Sequence, residues 1–367
     1  MLAAAGASLG AAAWALPAVA TRPAFSNAER LFAAARRGND GRFSAAIFRP
    51  DGSDVRSVVL PERAHDLTVC PVTRRCVAFA RRPGNFAVAF SRDRSEPPVT
   101  FTTPEDRHFF GHGVFSPDGN LLYATENDFD AGQGRIGIYE AGNGFRRVGE
   151  LSSHGVEPHD MALLKRAPIL VVANGGILTH PDIGEGRRML NPDSMEPSLA
   201  YIDLRTGDLI ERHDLGVGLR RLSIRHLDVG RDDTVVVGCQ YEGPRSDRPG
   251  LVLRHQRGAA LATFGLPGAT TALLDNYVSS VAVDRAGEVA AVTSSRGSHA
   301  VLIDIATGQV LRVTQLADVS GVAPAGDPGG FLLTSGEGRI ELDAATKALP
   351  EQIASTGWEW DNHAVAL

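Results

Sequence analysis

The sequence predicts an all-β fold, a seven-bladed β-propeller with four antiparallel strands per blade, and three observations carry that prediction. First, an anchor residue recurs: His65, His112, His159, His226, Ser280, Ser320 and His363, spaced by 47, 47, 67, 54, 40 and 43 residues. Periods of roughly 40–50 residues are the mark of propeller blades. Second, AYIDLRTGDLIERHDL and AVLIDIATGQVLRVTQL are near-copies whose turn residues Asp203 and Asp304 stand 101 residues apart. Asp-x-x-Thr-Gly supplies hairpin-turn chemistry in both. Third, the two ends of the chain are complementary. LFAAARR, RFSAAIF and DVRSVVL read as strands two to four of a blade that lacks an inner strand, and HAVAL reads as an inner strand with nothing after it. Joining them closes the ring and removes the sheet edges that invite aggregation.

Taken in order, each anchor opens an inner strand, a turn and a second strand. The second strands are CVAFARR, LLYATEN, ILVVAN, TVVVGCQ, EVAAVTSS and GFLLTSG, and an outer hairpin follows each. The unit is clearest in RHFFGHGVFSPDGNLLYATEND (Arg107 to Asp128), where Pro117-Asp118-Gly119 makes the turn. Proline presets φ there and glycine accepts the positive φ that other residues resist. The longest interval contains an insertion, GGILTHPDIGEGRRMLNPDSMEPS, from Gly175 to Ser198.

Composition agrees with this reading. The 40 glycines and 21 prolines favour many short strands joined by turns. A formal charge of −6, with no basic face, argues against nucleic acid as a partner. Residues 1–20 carry no charged side chain and end in Ala18-Val19-Ala20, the pattern of an export signal, with residues 21–367 as a single propeller domain. The basic residues that open such a signal are missing, so we expect the true start upstream; the alternative is a plain N-terminal tail. No other stretch reaches the ~18 apolar residues of a membrane span, so we expect none after signal removal, and a monomer. Cys70, Cys76 and Cys239 allow at most one disulfide, Cys70 with Cys76 being a candidate, and read best as small core residues.

In a propeller the loops entering the inner strands share one face with the loops joining strands two and three. On that face the sequence concentrates RRPG, RHFFGH, TENDFD, EPHD, NGGILTHP, SIRH, SSRGSH and WDNH, whereas the other face carries plain turns. Such a rim is a binding surface. Around the ring, His363, His65, His112, His159 and His226 occupy one level in five consecutive blades, with Asp66, Asp160 and Asp361 beside three of them. Imidazoles converging with carboxylates are the usual ligands of zinc, copper or iron. The bland alternative is a hydrated polar channel produced by blade duplication. Not all five rings fit one ion, and His65, His112 and His159, in adjacent blades, should converge most readily. Around them, Arg81, Arg107, Glu126, Asp128, Asn174, His180, Arg225 and Arg296 form a candidate outer shell or ligand-binding set. The arginines (Arg81, Arg107, Arg225, Arg296) suit an anionic ligand, or equally braces between blades.

Several catalytic-looking matches fail. Gly6-Ala-Ser8-Leu-Gly10 lies in the signal-like segment and not on a strand–helix elbow. Gly132, Gly134 and Gly137 precede a strand, with no helix to receive a phosphate. Asp128 and Asp130 begin a calcium-like loop whose twelfth position is Tyr139.

RHFFGHGVFSPDG, TENDFD, PHD, VVANGGILTHPD, SIRH and WDNH together resemble the bacterial exported proteins grouped as domain of unknown function 1513. The resemblance covers essentially the whole chain after the signal. It implies a seven-bladed propeller of the YVTN and quinoprotein-amine-dehydrogenase-like group, periplasmic after twin-arginine export, although the arginine pair is absent from this sequence. It also implies an iron-related setting, with imelysin-like and di-haem peroxidase-like iron-uptake proteins as partners, but no reaction. Ser320 stands where members are expected to show cysteine, which weakens any thiol mechanism.

These readings lead us to expect a periplasmic propeller that binds a transition metal (iron, copper or zinc), or a metal-bearing partner, on a His-rich rim in support of iron acquisition. His65, His112, His159, His226 and His363 would be ligands or channel-lining groups, with Asp160 and Asp361 as acceptors that orient them. A non-enzymatic role is expected. The alternatives are a metal-dependent enzyme, such as a lactonase-like hydrolase or an oxidoreductase, and a pure interaction scaffold.

Overall fold

Alternating apolar strands and Gly-bearing turns produce seven four-stranded antiparallel sheets in the computed structural model. It describes residues 30–185, 188–347 and 349–367; the signal-like segment 1–20 lies outside them. Chain order and sheet order coincide in six sheets. In the remaining sheet the C-terminal strand Glu359–Ala366 pairs with Phe32–Arg37, followed by Phe43–Phe48 and Asp54–Val59. The ends therefore close one blade, as their complementary patterns require, and Leu367 N donates to Leu31 O at 2.8 Å to finish the seam. Among the described residues the one α-helix, Gly268–Leu273, lies between the fifth and sixth blades.

Second and third strands are buried on both faces, as in ILVVAN (Ile169–Asn174) and FAVAF (Phe86–Phe90), while outer strands such as Leu209–Asp214 are largely exposed. The core accordingly lies between blades. One continuous cluster runs from Leu164 to Ile305 through three consecutive blades. The two near-copy turns form alike: Gly207 N donates to Asp203 O and Gly308 N to Asp304 O, with φ of 80° and 77° at the glycines. Cys70, Cys76 and Cys239 are free and buried, so Cys70 and Cys76 form no disulfide, and burial pushes the Cys76 thiol up to about 12. No helix among the described residues is long and apolar enough to cross a membrane.

Candidate metal centre in the channel

Every anchor lies on an inner strand, and six of the seven sit at or beside a break in strand register. His65 with Asp66, and His159, are extra residues opposite the second strand. So are His112 with its two preceding residues, and Ser320. The stretch 361–363 loops out opposite Ala35, and Arg225 bulges immediately before His226. A bulge re-aims side chains that alternation would send into the sheet packing, and here it turns them toward the axis. Gly111, at φ 107°, illustrates how closely they meet: a Cβ there would stand 2.7 Å from the His65 side chain.

The five imidazoles consequently form one buried cluster. His112 lies 4.8 Å from His363 and 5.5 Å from His226 between ring centroids, and His226 lies 4.7 Å from His363. The adjacent-blade set measures 4.9 Å (His65–His112), 5.5 Å (His65–His159) and 5.1 Å (His112–His159). In each set, one ligand atom per residue falls within 4.8 Å of the others. The trio spread across the ring thus converges as tightly as the adjacent trio, contrary to the expectation from spacing, because rings crossing a narrow channel meet near its axis.

Hydrogen bonding separates the two trios. Arg225 Nη1 donates to His159 Nδ1 at 3.1 Å; a guanidinium can only donate, so that lone pair is taken and the ring proton sits on Nε2. His363 Nδ1 lies 3.0 Å from Ser280 Oγ, and with Nδ1–H donating, Nε2 keeps its lone pair. That Nε2, both nitrogens of His226 and Nδ1 of His65 are buried without a hydrogen-bond partner. His112 Nδ1 stands 3.0 Å from Asp66 Oδ2 and 3.3 Å from Asp160 Oδ1, at ion-pair distance but outside hydrogen-bond geometry, and its Nε2 is also unpartnered. Buried nitrogens left this way cost about 1–3 kcal/mol each unless a ligand or water meets them, which makes the cluster a candidate ligand site.

Electrostatics single out His112. Burial opposes a charged ring, yet Asp160 and Asp66 outweigh it and push His112 up to about 10. Burial, then neighbouring histidines and arginines, holds His65, His159 and His226 well below the usual range. Burial likewise brings His363 down to about 4. Without an ion, the cluster is one imidazolium clamped between two carboxylates and ringed by neutral imidazoles.

Of the other candidates, Asp66 and Asp160 join the cluster. Asp160 also accepts from Leu227 N of the next blade at 3.0 Å. Asp361 does not orient a histidine: both its oxygens serve Arg63, at 2.5 and 3.1 Å. Arg107 braces Asp106 and Asp128, and Glu126 is buried between Tyr139 (2.5 Å) and Arg147 (2.8 Å). Asn174 ties Ser153 O at 3.0 Å, His180 faces Asp130 from the insertion, and Arg296 lies 4.3 Å over the Tyr277 ring. These are structural ties within or between blades. Arg81 and Arg225, by contrast, line a cavity of about 80 Å³ bordered by His65, His159 and His226. A larger cavity of about 1200 Å³ opens at the turns of the opposite face and touches none of the five histidines.

Sequence reasoning passed over Glu157 and Arg82. Glu157, fully buried at φ 59°, accepts from Arg225 and, at 2.5 Å, from Arg82 two blades away. The signal was present, since both lie in rim motifs already noted. It also passed over Glu211 and His213 on the outer strand of one blade and His255 on the third strand of the next. There the His255 nitrogens are already committed to Tyr201 Oη (2.6 Å) and Ala259 O (3.0 Å), which leaves His255 itself without a free lone pair.

Residues 58–367 match the family model described as Protein of unknown function (DUF1513). No curated protein matches the chain. Among solved structures, the chain is similar to one in Kuenenia stuttgartiensis hydrazine synthase, with 12% identity, a TM-score of 0.61, and 85% of this chain and 94% of that chain covered. It is also similar to one in the mitotic checkpoint complex, with 11% identity, a TM-score of 0.56, and 79% and 76% covered. At such identities the likeness is one of fold.

Proposed function

We propose that this chain, which belongs to the DUF1513 family, binds one first-row transition-metal ion in its channel through His112, His226 and His363. The observation that carries the reading is the convergence of three buried imidazoles, each with a nitrogen that has no hydrogen-bond partner. Asp66 and Asp160 lie against His112 Nδ1, and Ser280 against His363 Nδ1, which leaves Nε2 of both rings to the metal. Metal-binding histidines are commonly oriented through their second nitrogen in this way. His65, with its unpartnered Nδ1, lies beside His363 and borders the small cavity. Imidazole donors suit zinc, copper and iron alike.

In this reading the mature protein is exported to the periplasm and serves iron acquisition, as a metal carrier or as a dock for a metal-bearing partner such as an imelysin-like or di-haem peroxidase-like protein. The signal-like segment and the rim motifs support that setting. A metal-dependent enzyme is favoured by one observation: three protein ligands leave a position open, and one of them, His226, borders a cavity. Titration of metal-free protein with zinc, copper(II) and iron(II) tests the site, with one ion per chain expected and no binding overturning it. Turnover that requires the bound ion would favour the enzyme.

A further inference from the structure

We infer that the small cavity beside the histidine cluster is a binding site for a small oxyanion, which bridges the bound metal and the rim arginines; the bridging rests on the metal reading above. The cavity wall carries Arg81, Arg82 and Arg225 and no carboxylate. Arg225 is 4% exposed and its Nε has no partner, while its Nη1 is committed to Glu157 and His159. Glu157 fixes Arg82 and Arg225 together, and Asp361 stands 3.9 Å from Arg81. The guanidiniums are therefore positioned before any ligand arrives. Planar guanidinium forks match the spacing of carboxylate, carbonate and phosphate oxygens. Gln240 and Asn362 add neutral polar groups to the same wall.

Charge makes the case stronger. Three neutral imidazoles leave a bound ion with its full positive charge. Asp66 and Asp160 offset it on the His112 side, whereas the charged groups of the cavity wall are three arginines, two of which share the single carboxylate of Glu157. An anion between the ion and these arginines resolves their repulsion. Because His226 and His65 border the cavity, its occupant lies next to the metal's open position. Volume limits the choice: at ~10–15 Å³ of such space per water, about 80 Å³ holds several waters, which is room for a small anion such as bicarbonate, phosphate or a short carboxylate.

The test is calorimetry on the full chain. Metal-free protein is titrated with phosphate, bicarbonate and acetate, and then with zinc in the presence and absence of each. The expected result is that at least one anion tightens zinc binding tenfold or more, and the ranking of the three identifies the source. In the double variant Arg81→Gln, Arg82→Gln this gain is lost, while zinc affinity without anion is kept or improved; circular dichroism verifies its folding, and the Lys pair at the same positions should restore part of the gain. Zinc affinity indifferent to all three anions overturns the oxyanion site and leaves the metal site standing. If zinc never binds, the anion titration of metal-free protein decides alone: arginine-dependent binding sustains the site, and its absence overturns it.

Discussion

Replacing His226 with alanine separates a ligand histidine from a structural one. The ring is 1% exposed and neither nitrogen has a hydrogen-bond partner, so the metal-free protein loses no bond with it. Removing the two orphaned nitrogens relieves about 1–3 kcal/mol of desolvation for each. Packing against His363 and His159, at 4.7 and 4.8 Å, is lost in return. The two effects are of similar size, so the metal-free melting temperature should stay near that of the parent. Metal affinity should fall steeply. Structural zinc sites contribute about 10–16 kcal/mol through four ligands, or ~2.5–4 kcal/mol each. At ~1.4 kcal/mol per tenfold, this corresponds to a loss of roughly a hundred- to a thousandfold. His159→Ala is the control. Its lone pair already serves Arg225, so affinity should change less than about tenfold. The assay is competition with a chromophoric zinc chelator, alongside thermal melts with and without zinc. Parent-like affinity in His226→Ala, or a larger loss in His159→Ala, would refute the assignment of the trio.

The pH dependence has a definite sign. With His112 at about 10 and the other ligands neutral, metal binding near neutrality should release about one proton, and affinity should rise about tenfold per pH unit between pH 6 and 8, read by calorimetry in buffers of different ionisation enthalpy. Stability of the metal-free protein follows linkage. The His112 contribution is present below its unfolded value of ~6.5 and lost as pH rises through about 10, and that of His363 is present above ~6.5 and lost as pH falls through about 4, so melts across pH should peak between these limits. Deleting residues 361–367 removes most of the closing strand and His363, and should lower the melting temperature and abolish tight zinc binding; unchanged melting would contradict the closure. Glu126→Ala leaves the buried Tyr139 hydroxyl and the Arg147 guanidinium without their shared acceptor, and should cost ~3 kcal/mol in denaturant unfolding while zinc affinity stays unchanged.

Blade number, strand order and ring closure were legible because they rest on short-range patterns. Alternating apolar runs, Asp-x-x-Thr-Gly turns and a recurring anchor each act within one blade. The five histidines were legible for the same reason, since equivalent positions in a closed ring must share one level. Which of them share a centre was not legible. Spacing favoured His65, His112 and His159, but rings meeting near an axis also pair across it, and the decisive contact is Arg225 with His159, between side chains 66 residues apart. Asp361 shows the same limit: it neighbours an anchor in sequence, yet Arg63, 298 residues away, claims its oxygens. Glu157 escaped notice because its importance comes from burial between two arginines of other blades.

The most direct test of the central claim is anomalous diffraction from crystals of the full chain soaked in zinc and collected on both sides of the zinc edge. The account requires one strong peak in the channel among His112, His226 and His363, with nitrogen distances near ~2.0–2.1 Å. A peak at Glu211, His213 and His255 alone, or no peak within the channel, would contradict it.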